Sequence, residues 1–164
     1  MRNAHIKDAV ALCQFLARLE AAIKNSEIYD ELRVVEELSA LRRTQEHNFG
    51  DSFDTIAGYG PNSALPHYTP TNDTNVVIDA NSTFMLDSGG QYYDGTTDVT
   101  RTMHYGTPTP EQRDSYTALL AGCIDLARLI FPVGQTYTTT DLLLRSHLYR
   151  LGRNYGHGST HGVG

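Results

Sequence analysis

The chain has 164 residues, a length typical of one domain, and its 40% hydrophobic and 20% charged residues are ordinary for a globular protein. Its formal net charge of −6 argues against a nucleic-acid partner, because phosphate binding needs clustered Lys and Arg, and the one basic pair, Arg42-Arg43, is expected on a solvated helix face. No apolar run approaches the roughly 20 residues of a membrane span, so neither a membrane segment nor a signal peptide is expected.

Two helices are predicted in the first third of the chain. Apolar residues recur at three- and four-residue steps from Ile6 to Ile23, and this period places Ile6, Val10 and Cys13 on the inward face. A second helix is predicted over residues 29–47. Its inward positions would be Leu32, Val35, Leu38 and Leu41.

Strand-like segments follow, separated by turn-forming residues. They cover residues 64–69, 75–80 and 83–89, and residues 91–105 are rich in Tyr, Thr and Val around the turn dipeptide Asp94-Gly95. That last segment predicts two strands joined in a hairpin.

Helices return after the hairpin. Thr109-Pro110-Glu111 combines a capping residue with a proline at the first turn, and a shorter helix is predicted over residues 140–151. The apolar face of the first of these helices would contain Tyr116, Leu119, Cys123, Leu126 and Ile130. Helices, then strands, then helices indicate an α+β fold. Cys13 and Cys123 are expected to be buried thiols, which fits a reducing, cytoplasmic compartment.

Asp87 and Asp98 are candidate metal ligands. Two-metal hydrolases hold ions about 3.5–4 Å apart, which calls for a carboxylate that can bridge them. A regular hairpin turning at Asp94-Gly95 would offset the two aspartates by about four residues, or roughly 13 Å, so a shared metal requires a bulge or bend at Gly89-Gly90. The alternative is a strand-end cap and a surface turn aspartate.

Three histidines lie in segments that suit a site. His157 and His161 share a glycine-rich segment in which backbone can approach a ligand closely, so that one imidazole could bind metal and the other a substrate. His67 falls between two predicted strands. Without further context, polar loop residues and a structural histidine are the simpler interpretations. The remaining histidines, to which no chemistry is assigned, are His5, His47, His104 and His147.

Four segments together resemble the eukaryotic-type Xaa-Pro aminopeptidases (aminopeptidase P). They are residues 62–68 (NSALPHY), 86–92 (LDSGGQY), 94–102 (DGTTDVTRT) and 157–164 (HGSTHGVG). The similarity begins at the first residues and covers essentially the whole chain. It implies part of the pita-bread fold of the creatinase-like metallopeptidases, with a curved antiparallel or mixed sheet and helices on its outer face.

The resemblance also implies roles for individual residues. Asp87 would ligate one metal, Asp98 would bridge both, and His161 would ligate the second. His67 and His157 would match the substrate-contacting histidines of the family. The expected cofactors are two divalent ions, manganese or alternatively zinc, and the expected substrates are peptides with proline at the second position.

The sequence departs from the family pattern in two respects. The family has two further glutamate ligands, whereas the only glutamate after Asp98 is Glu111, which is better explained as complementing a helix dipole. Thr160 stands where the family usually has glycine. We therefore expect residues 1–164 to be the first part of a catalytic domain, inactive alone and weak in binding the second ion. A longer protein could form a homodimer. A pseudoenzyme and a non-catalytic peptide-binding module remain as alternatives.

Overall fold

The computed structural model describes residues 1–163, and Gly164, the last residue of the glycine-rich motif, lies outside the described residues. The chain divides into two compact units. The first unit consists of Met1–Thr107 together with Val163, and the second of Pro108–Gly162.

Two helices open the first unit: α1 (Arg2–Lys24) and α2 (Glu31–Arg43). The side chain of Asp30 caps α2 by accepting a hydrogen bond from Arg33 N at 2.8 Å. Both helices were expected, but the predicted inward face of α1 is wrong, because Ile6 and Val10 are 65% and 44% exposed. The buried face of α1 contains Ala4, Asp8, Ala11, Leu12, Phe15, Leu19 and Ala22.

Short antiparallel strands form three small sheets in this unit. In chain order they are β1 (Tyr29–Asp30), β2 (Asn48–Asp51), β3 (Ile56–Tyr59), β4 (Val77–Ile78), β5 (Thr83–Ser88), β6 (Gly90–Tyr92), β7 (Gly95–Thr96) and β8 (Val99–His104). The sheets have the orders β1-β4, β2-β6-β7 and β3-β5-β8. Residues 83–92 therefore leave one sheet and enter another at Gly89. The strand predicted over 64–69 is wrong, since a 3-10 helix (Gly60–Ala64) and a loop occupy that region.

One apolar core holds the helices against the sheets of the first unit. Phe15 and Leu19 of α1, Leu38 of α2, and Phe84 and Leu86 of β5 are essentially inaccessible to solvent. The strand β5 alternates buried and half-buried residues, as expected for a strand with one face on the core. This packing fixes the position of the strand that carries Asp87.

The second unit contains two packed helices, α3 (Pro110–Ala127) and α4 (Tyr137–Tyr149). Thr109 forms the predicted cap as part of a reciprocal capping box with Gln112. The helices approach closely at Gly122, where a β-carbon would lie 2.6 Å from the carbonyl oxygen of Leu144. Glu111 lies in the first turn of α3 and contacts Arg153 at 3.3 Å, which agrees with a role at the helix end.

Two further expectations concern exposure. Cys13 and Cys123 are both exposed free thiols, so the prediction that they are buried is wrong. Tyr116 of the predicted α3 face is 53% exposed, and Gly122 is the residue of α3 that is buried. Among residues 1–163, no helix combines the length and the hydropathy needed to cross a membrane.

Candidate metal and peptide site

The hairpin that carries the two candidate aspartates has a different register from the predicted one. Asp87 pairs with Thr100, and Tyr92 pairs with Gly95, so the turn consists of Tyr93 and Asp94. The register is the same on both sides of Gly89, without an inserted residue. Asp98 is thus offset from Asp87 by two residues and not by four. Of the bulge or bend expected at Gly89-Gly90, no bulge is present in the pairing, and the chain passes from one sheet to another at Gly89.

This register brings Asp98, which lies in the short break between β7 and β8, close in sequence to the strand partner of Asp87. Thr100 of β8 is the partner of Asp87, and Asp98 lies two positions before Thr100. The offset corresponds to about 6–7 Å along the strands. Both side chains are half-buried. Two carboxylates in this arrangement fit the oxygen-donor set that a divalent ion needs.

Gly89 permits a close contact between the two strands beside Asp98. A β-carbon at Gly89 would lie 1.9 Å from the carbonyl oxygen of Thr97. Ser52 closes the contact, because its N–H donates to Gly89 O at 3.0 Å and its hydroxyl donates to Thr97 O at 2.8 Å. Glycine is thus needed at this position because the two backbones approach closely.

A buried polar network lies beside the end of β5. Arg42 is fully buried, and its Nε donates to Asp8 Oδ1 at 2.7 Å while Nη2 donates to Ser88 Oγ at 3.0 Å. The Tyr92 hydroxyl donates to the same Asp8 oxygen at 3.1 Å. Burial and the adjacent Asp8 carboxylate raise the pKa of Tyr92, so its hydroxyl remains a donor. The network anchors the residue that follows Asp87.

Sequence reasoning missed this network and assigned Arg42 to a solvated face, which is wrong. A signal was present, since Asp8 lies three and four positions before Ala11 and Leu12 on the buried face of α1. A lone acid on an apolar face indicates a buried partner, because an unpaired buried carboxylate is costly. The sequence does not say which base supplies that partner.

His67 lies in the loop that follows the 3-10 helix. Its side chain is exposed, and its backbone has a φ of +58°, an uncommon conformation for a residue with a β-carbon. The next residue, Tyr68, is buried, and its N–H donates to Leu65 O at 3.3 Å. The imidazole of His67 is therefore accessible to solvent, while the side chain of Tyr68 is fixed in the protein interior.

The two remaining candidate histidines belong to the second unit, and both are exposed. Arg145 of α4 holds the segment before and at His157, because its guanidinium donates to Tyr155 O and, at 2.6 Å, to His157 O. The ring of His157 lies 4.9 Å from that of Tyr155. His161 Nδ1 lies 2.8 Å from Gly162 O. These contacts fix the backbone of the glycine-rich segment, which does not form a helix.

Asp141 completes the anchor of this segment. It forms an ion pair with Arg145 and accepts a hydrogen bond from the hydroxyl of Ser159. The Arg145 guanidinium, followed by the Ser159 hydroxyl, holds the pKa of Asp141 below its usual range. Asp141 therefore stays ionised and keeps Arg145 oriented towards the backbone of His157.

Within residues 1–163, no group of three or more His, Cys, Asp and Glu side chains is close enough to hold a metal ion. The convergence of Asp87, Asp98 and His161 stays an expectation. The assignment of these three residues as ligands stays a prediction that combines residues of both units.

Comparison with known proteins places the chain among peptidases. Residues 1–164 match metallopeptidase family M24. The chain is 43% identical over 164 residues to "Xaa-Pro aminopeptidase 2" of Mus musculus and 46% identical over 172 residues to "Probable Xaa-Pro aminopeptidase P" of Chaetomium globosum. These matches include 100% of this chain but only 24% and 28% of the two relatives, so the chain spans about a quarter of their length.

Solved structures give the same result for the fold. An X-prolyl aminopeptidase from Caenorhabditis elegans, described as a cytosolic enzyme with a di-nuclear active site, superposes with a TM-score of 0.91 at 42% identity, over 96% of this chain and 26% of that one. An Xaa-Pro dipeptidase from Bacillus anthracis superposes with a TM-score of 0.81 at 29% identity, over 98% and 42%. The expected α+β fold, part of a pita-bread fold, is confirmed.

Proposed function

Because the chain belongs to metallopeptidase family M24, we propose that it forms part of a metal-dependent Xaa-Pro aminopeptidase. The reaction is hydrolysis of the bond between the N-terminal residue of a peptide and a proline at the second position. The observation that best supports this proposal is the hairpin register, in which Asp98 lies two positions before the strand partner of Asp87, in a chain that resembles such enzymes over its whole length.

In this proposal the chain supplies three metal ligands. Asp87 would hold one divalent ion, His161 would hold a second, and Asp98 would be a ligand shared by the two. Two such ions, manganese or zinc, would polarise the scissile carbonyl and lower the pKa of a water molecule. The half-buried position of both aspartates supports the assignment, because partial removal from water strengthens the attraction between a carboxylate and a cation.

His67 and His157 are proposed to contact the peptide. Both rings are exposed, whereas the backbone around each is fixed by buried or charged side chains, Tyr68 in one case and Arg145 in the other. A polar group that is accessible and also preorganised suits the recognition of a peptide. We extend the proposal to a cytoplasmic location, as described for the related enzyme of C. elegans.

The metal assignment is tested by calorimetric titration of the 164-residue chain with manganese. We expect one site, and Asp87→Asn or Asp98→Asn should each weaken binding by about tenfold or more, because a carboxylate ligand loses its charge. Asp114→Asn is the matched control, since Asp114 is an exposed aspartate of α3. Equal affinity in the wild type and in both site variants would show that these aspartates do not bind the ion.

A further inference from the structure

Glu31 has an unusual environment for an acidic residue. It is the first residue of α2, and its side chain is 0% exposed. Among residues 1–163, none of the ion pairs includes Glu31. A buried carboxylate without a cationic partner needs several hydrogen bonds, and the N-terminus of a helix adds favourable electrostatics.

The hydrogen bonds to Glu31 come from both ends of the segment that contains His67. Before His67, Tyr59 N donates to Glu31 Oε1 at 2.7 Å and Asn62 Nδ2 approaches both carboxylate oxygens at 3.1 and 3.2 Å. After His67, the Tyr68 hydroxyl donates to Oε2 at 2.7 Å and Val76 N donates to it at 3.3 Å. One carboxylate thus joins the two ends of an irregular loop.

Secondary contacts reinforce this arrangement. The Tyr68 hydroxyl and Asn62 Nδ2 also contact Thr74 O, each at 3.2 Å. Burial is the main cause that raises the pKa of Tyr68, and the bond to Glu31 adds to it, so the phenol remains protonated and able to donate. Asn75 Oδ1 accepts from Leu32 N at 3.1 Å, which ties the loop back to the same helix turn.

His67 itself requires such an anchor. A positive φ at a residue with a β-carbon persists only where the surroundings fix it. The residue that follows is held by its hydroxyl at the far end of a planar ring, so the Tyr68 side chain acts as a rigid link between Glu31 and the His67 peptide unit.

We propose that Glu31 is a positioning residue, which holds the loop of residues 62–76 and thereby fixes the exposed imidazole of His67. The part that concerns peptide contact rests on the proposed function. Glu31 touches neither peptide nor metal in this scheme. It acts through Tyr68 and Asn62.

The test compares Glu31→Gln and Tyr68→Phe with the wild-type 164-residue chain. Glutamine presents an amide donor to groups that are themselves donors, and phenylalanine removes only the hydroxyl. Glu36→Gln is the matched control, because Glu36 is an exposed acid of the same helix. Tyr68→Phe keeps the aromatic ring in the core, so it decides the question if Glu31→Gln does not fold.

The first measurement is amide hydrogen exchange. In both variants the amides of Tyr68, Asn75 and Val76 should exchange faster by about tenfold or more, because a charge-assisted hydrogen bond is lost locally. Amides of β5 and β8 should keep their wild-type rates. Unchanged exchange in the loop would overturn the inference, and so would an equal increase in β5 and β8, which would indicate general destabilisation.

The second measurement follows the ring resonances of His67 by NMR during titration with an Xaa-Pro tripeptide. We expect shifted ring resonances in both variants before peptide is added, and an affinity reduced about threefold or more when a preorganised contact becomes mobile. If the His67 resonances of the wild type do not change when peptide is added, the proposed contact between His67 and the peptide is refuted. The exchange rates would still decide whether Glu31 holds the loop.

Discussion

At the scale of single residues, the Arg42–Asp8 pair has the largest expected effect on stability. Both side chains are almost inaccessible, and Arg42 Nη1 has no hydrogen-bond partner in the described part of the chain. We expect Arg42→Met to lower the free energy of unfolding by about 3–5 kcal/mol, because Asp8 would remain as an uncompensated buried charge. Urea unfolding followed by circular dichroism measures the change.

A double variant distinguishes two free energies: the stability lost when one partner of the pair is removed, and the stability that the intact pair contributes. Asp8→Leu combined with Arg42→Met removes both charges, and we expect it to be less destabilised than Arg42→Met alone. The Tyr92 hydroxyl would then lack its acceptor, so full recovery is not expected. A double variant that is less stable than either single variant would contradict the ion-pair interpretation.

Asp141 gives a prediction about pH. Its pKa is held below the ordinary value of 3.8, chiefly by Arg145, so its stabilising contribution is present above about pH 3.8 and is lost as the pH falls through the lowered pKa. A carboxyl titration of Asp141 by NMR should therefore have its midpoint below 3.8. Arg145→Gln should raise that midpoint. A wild-type midpoint at or above the ordinary value would contradict the contact.

At the scale of elements, the contact at Gly89 should not tolerate a side chain. We expect Gly89→Ala to destabilise the first unit by about 1–3 kcal/mol, because a methyl group overlaps Thr97 O and Ser52 Oγ and pushes the strands apart. The same substitution should weaken manganese binding, since Asp98 follows Thr97 directly. The control is Gly156→Ala, where a β-carbon meets nothing within 4 Å. Equal stability of the two variants would refute the close contact.

The elements also show which features a sequence specifies. The helices α1, α2, α3 and α4 and the strand β5 were predicted within a few residues, because long periodic segments and the cap at Thr109 are local signals. The buried face of α1 was predicted wrongly. Apolar residues such as Ile6 and Phe15 lie on both sides of that helix, so its period alone does not select the side that packs.

The hairpin register illustrates a different reason for failure. Asp94-Gly95 is a favourable turn dipeptide, yet the turn lies one residue earlier. The carboxylate of Asp94 binds Lys7 of α1 at 2.8 Å, and Gly95 packs against Met1. The turn thus lies one residue before the position that the local sequence favours. At this position it contacts residues more than 80 positions away in sequence. The aspartate pair was singled out from its residue chemistry and given its roles by the resemblance, whereas its register required the structure.

At the scale of the whole molecule, the proposed reaction needs more negative charge than the chain provides. Two aspartates supply two negative charges to a pair of divalent ions, and Glu111, the only glutamate after Asp98, contacts Arg153 at the end of α3. We expect residues 1–164 alone to release no measurable N-terminal residue from an Xaa-Pro peptide, with or without manganese, because the second ion binds weakly.

The comparison is a chain extended by the segment that follows in Xaa-Pro aminopeptidase 2 of Mus musculus, assayed under the same conditions. Activity in the extended chain, together with none in the 164-residue chain, would support the proposal. Robust turnover by the 164-residue chain would show that Glu111, water or a second copy supplies the missing ligands. Inactivity of both chains would favour a pseudoenzyme or a peptide-binding module.

The exposed cysteines have a consequence for handling the molecule. Cys13 lies on α1 of the first unit and Cys123 on α3 of the second, and both thiols are accessible. Each will react with a maleimide, and without reductant each can form a disulfide with another chain. The natural sequence therefore carries one attachment point for a fluorescent dye in each unit. Energy transfer between two such dyes would report whether metal or peptide changes the distance between the units, with no cysteine introduced.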